Sequence, residues 1–150
     1  MKLDSIGRYI SSIYRHQSIL INKYFEKYGF GSGQYIFLIN ISKNEGINQK
    51  QLSENVKIDR ANTNRAIKKL EKLGYIYTVE DKEDRRSRKS FLTEKGKEII
   101  PLVIKDLANI TEIMAQGMDD NQREKLLELL QLIEKNIMLE VDNIRKDKCK

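Results

Sequence analysis

The sequence predicts a mainly helical protein with a small β-hairpin, an α+β fold with one main core. Apolar residues recur at steps of three and four over residues 6–28 and 99–144, which is the period of amphipathic helices. Between these segments, YIYTV and KSFLT are rich in aromatic and β-branched residues, which favour strands. The length of 150 residues suits one domain better than two independent cores.

The first apolar period predicts a long helix that ends before a glycine turn. The segment YGFGSG supplies three glycines in six residues, which is a turn signal. Ser32 then stands where a side-chain oxygen can cap the first turn of a second helix. We expect this second helix to bury Tyr35, Leu38 and Ile39.

Two short helices joined by a tight turn are expected next. Asn48 and Gln51 have the spacing of a capping box, which predicts a third helix from this point. Asp59 is a candidate cap for a fourth helix, and Gly74 is placed to end it. The inward positions of that fourth helix are Thr63, Ile67 and Leu70.

The two strand-like segments enclose the charged stretch EDKEDRRSR. This loop exceeds the two to five residues that usually connect a hairpin. Because packing does not explain its length, we expect a loop this charged to protrude into solvent or into a partner.

Two long helices are predicted to complete the chain. Thr93 caps the fifth, and Pro101 is expected to kink it because proline lacks an amide and crowds the preceding turn. Asp119 and Gln122 form a second cap pair that opens the sixth. The apolar stripe of this sixth helix comprises Leu126, Leu129, Leu130, Ile133, Ile137, Val141 and Ile144.

Helix, tight turn, helix and hairpin occur here in the order of a winged helix-turn-helix. In that motif the second helix fits the major groove of DNA and the hairpin reaches the adjacent minor groove. Residues 57–89 hold eleven Lys and Arg against six Asp and Glu, a net charge of +5, whereas the whole chain carries +6. Positive charge is therefore concentrated where the motif lies, and double-stranded DNA is the expected partner.

The fourth helix carries the side chains that we expect to face DNA. Residues 62–65 are expected to contact base edges, because asparagine and arginine pair bidentately with adenine and guanine. Lys68 lies further along and is expected to contact phosphates or nothing. An ordinary solvated helix face is the alternative. The complete set is Arg60, Asn62, Thr63, Asn64, Arg65 and Lys68.

The sequence resembles a known family over nearly its full length, and two segments carry the most specific matches. DRRSRKSFLTEKG is similar to the wing pattern of MarR-type (multiple antibiotic resistance regulator) winged-helix transcriptional regulators, and LEKLGYI resembles the end of their recognition helix. Asp81 resembles the first wing aspartate of the family, but Glu83 stands where arginine is often found. The matching wing positions are Asp84, Arg86, Leu92, Thr93 and Gly96.

The resemblance implies that Arg86 enters the minor groove from the wing tip, with Asp84 orienting it through an ion pair. Arginine is favoured in a narrow minor groove because the negative potential there is enhanced. Arg85 and Arg88 are expected to contact phosphates or to pair with nearby glutamates. The alternative is a solvated hairpin turn whose charges only promote solubility.

The first helix and the last two carry more apolar surface than a winged domain needs. We expect a second copy to cover it, so that a symmetric homodimer presents two recognition helices to a palindromic operator. The alternative is that these stripes complete the core of one chain. The expected organisation is a dimerisation helix over residues 1–30, a winged helix-turn-helix DNA-binding domain over 31–95, and dimerisation helices over 96–150.

The resemblance also implies a homodimer and a small-molecule pocket whose occupancy changes the spacing of the recognition helices. Arg15, His16 and Tyr35 are the candidate ligand contacts, although a surface or core role is the alternative for each. The expected function is that of a sequence-specific transcriptional regulator, a ligand-responsive repressor.

Several other classes find little support in the sequence. His16 with Ser11, Ser12 or Ser18 lacks an orienting acid, so we expect no enzyme. One His and one Cys do not make a typical metal cluster, and we expect no cofactor. Since no apolar run spans a bilayer and a single cysteine forms no internal disulfide, we expect a cytoplasmic protein without a membrane partner. A winged-helix module for protein–protein contacts without DNA binding is the remaining alternative.

Overall fold

A computed structural model describes residues 5–148, so that residues 1–4, Cys149 and Lys150 lie outside the described part. The protein is mostly helical and has a small three-stranded antiparallel sheet, which confirms the predicted fold class. The helices are α1 Ile6–Phe25, a 3-10 turn Glu26–Tyr28, α2 Tyr35–Lys43, α3 Gln49–Val56, α4 Arg60–Lys72, α5 Glu94–Met114 and α6 Asp120–Asp147. The strands are β1 Ile47–Asn48, β2 Ile76–Glu80 and β3 Arg88–Leu92.

Side-chain caps start the helices α3, α4, α5 and α6. The side chains of Asn48, Asp59, Thr93 and Asp119 each accept a hydrogen bond from the backbone amide three residues later, at 2.8–3.0 Å. Each bond satisfies an amide that has no partner within its own helix. The predicted starts of α3, α4, α5 and α6 are therefore confirmed.

The predicted cap of α2 by Ser32 is wrong. This helix begins at Tyr35 after a turn, and the Ser32 amide donates to Asn22 Oδ1 of α1 at 2.8 Å. Asn22 comes this close because Gly31 has no side chain: a Cβ there would lie 2.2 Å from Asn22 Oδ1. Ser32 therefore lies in a turn that is bonded to α1, outside the cap position of α2.

Strand β3 lies in the centre of the sheet, between β1 and β2. The predicted hairpin pairs Ile76 with Leu92 at one end and Glu80 with Arg88 at the other. Strand β1 was not predicted, because two residues carry no alternating pattern. It pairs Ile47 with Ser90, and the preceding Gly46 donates its amide to Ser90 O at 2.8 Å.

The chain divides into two compact units, with the boundary between Ile110 and Thr111. The first unit contains the hydrophobic core, in which side chains from α1, α2, α3, α4 and the sheet are buried together. Phe25, Phe37, Leu38 and Leu70 are among its least exposed members. This core holds α4 and the hairpin on one scaffold.

The second unit consists of the end of α5 and the whole of α6. Arg123 makes two hydrogen bonds to the Glu112 carboxylate, at 2.9 and 3.0 Å, and lowers the pKa of that carboxyl group below its usual value. No residue of α6 within Asp120–Asp147 is buried. Helix α5 is continuous through Pro101, and the kink there stays a prediction. None of the helices within residues 5–148 combines the length and apolar character of a membrane span.

Candidate nucleic-acid interface

Helix α4 has one face in the core and one face in solvent. Ala66, Ile67 and Leu70 are buried, which accounts for the apolar residue type at each of these positions. The outer face begins at the helix start, where residues of a recognition helix contact base edges. On this face Arg60, Asn62, Arg65 and Lys68 are exposed and Asn64 is half-buried.

Thr63 does not belong to that outer face. Its side chain is 0% exposed, and its hydroxyl donates to the Asp59 carbonyl oxygen at 2.8 Å. The base contact predicted for Thr63 is incompatible with this position, because the side chain points into the core. The inward position predicted for the same residue is confirmed.

At the start of α4, the Asp59 carboxylate accepts two hydrogen bonds from Asn62. The backbone amide of Asn62 donates at 2.8 Å and its side-chain amide at 2.6 Å. These bonds favour the charged carboxylate and hold the pKa of Asp59 below its usual value. Asp59 therefore places a negative charge at the positive end of the helix dipole.

The wing tip is a tight turn shaped by Asp84. Its carboxylate accepts the backbone amide of Arg86 at 3.0 Å, and its carbonyl oxygen accepts the amide of Ser87 at 2.9 Å. The expected ion pair between the Asp84 and Arg86 side chains is wrong in this conformation, because the carboxylate bonds the main chain instead. Within residues 5–148, the guanidinium groups of Arg85 and Arg86 make no hydrogen bond or ion pair, so both remain available to a ligand.

Asp81 closes the base of the wing loop. It is only 5% exposed, and its carboxylate accepts the amide of Glu83 at 3.0 Å and lies 3.7 Å from Lys89 Nζ. Its amide donates to the carbonyl oxygen of Ser87 across the loop. The resemblance to the first wing aspartate therefore has a structural basis. Glu83 is exposed, so its substitution for arginine does not disturb this closure.

Arg88 braces the wing against the recognition helix. Its Nε donates to Thr78 Oγ1 at 2.9 Å and its Nη2 to Thr78 O at 3.0 Å. The Thr78 hydroxyl in turn donates to Glu71 Oε1 of α4 at 2.8 Å. Arg88 thus bonds a threonine instead of the expected glutamates. Its N–H groups that are not used in these bonds could still contact a phosphate, and that contact stays a prediction. Sequence reasoning missed Glu71 and Thr78, because their seven-residue separation follows no local pattern.

The three candidate ligand residues do not line the described cavity. Arg15 and His16 are exposed on α1, and His16 Nδ1 lies 2.7 Å from Ser12 O. Tyr35 is half-buried against Phe25, and this burial, followed by the nearby Tyr14, raises the pKa of its phenol. A cavity of about 440 Å³ lies elsewhere and is lined by Asn44, Glu45, Gly46, Ile47, Gln51 and Asn55.

Neither a metal cluster nor a catalytic set is assembled in the described part of the chain. No three His, Cys, Asp or Glu side chains within residues 5–148 come close enough to hold a metal ion. His16 hydrogen-bonds within its own helix, to Ser12, and an acid that would orient it is not among its contacts there.

Known proteins resemble this chain over most of its length. The model of the MarR family matches residues 28–87, which include α2 to α4 and the first strand of the wing. The uncharacterized HTH-type transcriptional regulator YybA of Bacillus subtilis is 35% identical over 144 residues, and the match covers 96% of each chain.

Two solved structures extend the comparison to the fold. A MarR transcriptional regulator from Methanosarcina mazei Go1 has a TM-score of 0.83 and 43% identity, covering 89% of this chain and 96% of that one. A MarR family transcriptional regulator from Listeria monocytogenes, complexed with 26mer DNA, has a TM-score of 0.81 and 33% identity, covering 89% of each chain. The relatives are thus named as regulators and not as enzymes. With its buried helix-turn-helix core and its wing, the chain belongs to the MarR family of winged helix-turn-helix transcriptional regulators.

Proposed function

We propose that the protein is a sequence-specific repressor that binds a palindromic DNA operator as a homodimer. The observation that carries this proposal is the pairing, in one compact unit, of an exposed polar face on α4 with two unbound guanidinium groups at the wing tip. The bond between Thr78 and Glu71 ties the wing to α4, so one rigid surface offers donors to adjacent grooves. The relative from Listeria supports it, because that protein was crystallised with DNA.

The proposed DNA contacts fall into three groups. Asn62, Asn64 and Arg65 face base edges in the major groove. Arg86 enters the minor groove. The remaining contacts are with phosphates or support the wing: Arg60, Lys68, Asp84, Arg85 and Arg88.

Two helices leave large apolar side chains uncovered, which supports the homodimer. On α1, Ile13 is 51% exposed, and on α6, Leu130 is 44% and Ile137 is 62% exposed. Large apolar side chains left exposed along a helix favour an interface. We therefore assign residues 1–30 and 96–150 to dimerisation and 31–95 to DNA binding. A two-fold pair would present its α4 helices to half-sites about one helical turn apart.

Repression and ligand control complete the proposal. A dimer that occupies neighbouring grooves of a promoter excludes other proteins from the same DNA, which represses by steric occlusion. A small effector that binds near Tyr35, with Arg15 and His16 as further candidates, would act if its affinity differs between two spacings of the α4 helices. We propose a cytoplasmic location, because bacterial and archaeal DNA lies there.

Titration with duplex DNA tests the proposed function. Random and palindromic duplexes are titrated at several salt concentrations, and the logarithm of the binding constant should fall linearly with the logarithm of salt concentration. Sedimentation at the same protein concentrations measures whether the bound species is a dimer. A winged-helix module that contacts only proteins would not bind duplex DNA, even at low salt.

The substitution Arg86→Ala tests the wing. It should weaken binding to a preferred duplex by about 1 to 3 kcal/mol, because a minor-groove contact is lost. Lys82→Ala is the matched control, since it removes the same charge from an exposed position of the same loop. Equal losses for the two variants would show that only charge matters, and unchanged affinity for Arg86→Ala would remove the wing from the mechanism.

A further inference from the structure

Three exposed side chains, Asp59, Asn62 and Arg65, are linked along the outer face of α4. Asn62 Nδ2 donates to Asp59 Oδ2 at 2.6 Å, and Arg65 Nη2 donates to Asn62 Oδ1 at 2.7 Å. The residues are spaced by three, so their side chains follow one another on the same helix face. This series of hydrogen bonds lies on the surface that the proposed function assigns to DNA.

The two charged neighbours of Asn62 determine the direction of its amide. Asp59 can only accept, because an exposed carboxyl group is ionised at neutral pH, and the guanidinium of Arg65 can only donate. A flipped amide would set its oxygen against the carboxylate and its NH₂ group against the guanidinium. Only one amide orientation is therefore compatible with both neighbours.

The orientation in which Asn62 could read a base is fixed by its neighbours. Bidentate pairing with adenine needs both the oxygen and the NH₂ group of an asparagine. Each of these atoms already bonds a charged partner, and such charge-assisted bonds are about twice as strong as neutral ones. One N–H group and one lone pair of the amide remain unused, but the amide cannot rotate to meet adenine without breaking both bonds.

Arg65 has more unused donors than Asn62, which keeps one. It uses one N–H group on Asn62 within the described residues, which leaves four of the five that a guanidinium carries. Guanine presents two acceptors, O6 and N7, in the major groove, and the guanidinium fork matches them. The bond to Asn62 restrains the long side chain before DNA binds, which reduces the conformational freedom lost on binding.

We propose that Arg65 determines specificity for a guanine in each half of the operator, and that Asn62 is a positioning residue that acts through Arg65. Asp59 supports this arrangement by fixing the orientation of the Asn62 amide. This inference rests on the proposed function and narrows it, because it withdraws direct base reading from Asn62.

A double-mutant cycle on defined DNA tests the inference. Wild-type protein first selects its preferred duplexes from a random pool. Affinities for the selected duplex, and for versions with one base pair changed, are then measured for Arg65→Ala, Asn62→Ala and the double variant. Arg65→Lys retains the charge without the fork and should lose discrimination at one G·C pair while keeping most affinity for random DNA. Helix content by circular dichroism checks that each variant folds.

Arg65→Ala should reduce discrimination at one G·C pair by about 5- to 150-fold, the range expected for one bidentate contact. Asn62→Ala should reduce discrimination at that same pair, and the double variant should bind like Arg65→Ala alone. Asn64→Ala is the matched comparison: Asn64 makes no side-chain hydrogen bond within residues 5–148, so its effect should add to that of Arg65→Ala at a different base pair.

The outcomes separate this inference from the proposed function. If wild-type protein selects no sequence, the proposed function fails and the inference fails with it. If selection succeeds but Asn62→Ala relaxes a base pair of its own, or adds fully to Arg65→Ala, only the positioning role is overturned. Loss of discrimination at an A·T pair in Arg65→Ala would overturn the assignment of guanine.

Discussion

Gly96 lies where helix α5 passes directly over the backbone that enters the wing. A Cβ at this position would sit 2.0 Å from the Tyr75 carbonyl oxygen and 3.0 Å from its carbon. The same oxygen accepts the amide of Thr93 at 3.1 Å, and Thr93 caps α5. Gly96→Ala must therefore push α5 away from the strand that begins at Ile76, and we expect it to destabilise the fold.

The magnitude follows from two opposing terms. Alanine favours a helix interior over glycine by about 1 kcal/mol. Overpacking usually costs about 1 to 3 kcal/mol, and a 2.0 Å approach to backbone belongs at the upper end because a carbonyl group cannot rotate away as a side chain can. We therefore expect Gly96→Ala to lower the free energy of unfolding by about 2 kcal/mol.

Urea denaturation followed by circular dichroism measures this loss. All variants are compared at one protein concentration, because the denaturation midpoint of the proposed dimer would depend on it. Gly7→Ala is the matched control: Gly7 also lies in the first turn of a helix, and the nearest atom to its added Cβ is Ser5 Oγ at 3.6 Å. That control should be neutral or more stable. Equal stability of the two alanine variants would refute the steric explanation of Gly96.

Three further predictions concern single side chains. Ser90 is 0% exposed and its hydroxyl has no partner within the described residues, so Ser90→Ala should be neutral or stabilise the fold by up to about 1 kcal/mol in the same assay. By comparison, Thr63→Val removes a buried hydroxyl that is hydrogen-bonded and should destabilise the fold by about 1 kcal/mol. Lys57 has a left-handed backbone with φ 57°, so Lys57→Gly should stabilise the fold by about 0.5 to 1 kcal/mol. A lower free energy of unfolding would show instead that the side-chain contacts of Lys57 outweigh the backbone strain. The lowered pKa of Asp59 means that its contribution to stability is present above the unfolded pKa and is lost as the pH falls through the folded pKa. The stability difference between wild type and Asp59→Ser, whose cap does not titrate, should therefore shrink as the pH falls below the unfolded pKa of an aspartate, about 3.9, and a constant difference would contradict this linkage.

The helix starts could be predicted from the sequence because the interactions that make them are local. Asn48, Asp59, Thr93 and Asp119 each bond an amide only three residues away, so residue type and spacing contain the necessary information. The period of apolar residues likewise predicted the inward positions of α4. The family resemblance singled out Gly96, but the physical need for glycine there, the close approach to Tyr75, appears only in the fold.

Features that join distant segments could not be predicted in this way. Strand β1 exists because its two residues meet β3, about forty positions later. Ser32 does not cap α2, because the helix begins only at Tyr35 and Ser32 lies in a turn that bonds Asn22 of α1. Arg88 is directed to Thr78 by the register of the hairpin, and Thr63 is buried by the way α4 packs, away from the proposed DNA-facing surface. Each depends on which segments pack together, and that choice minimises the free energy of the whole chain, to which neighbouring residues contribute only a part.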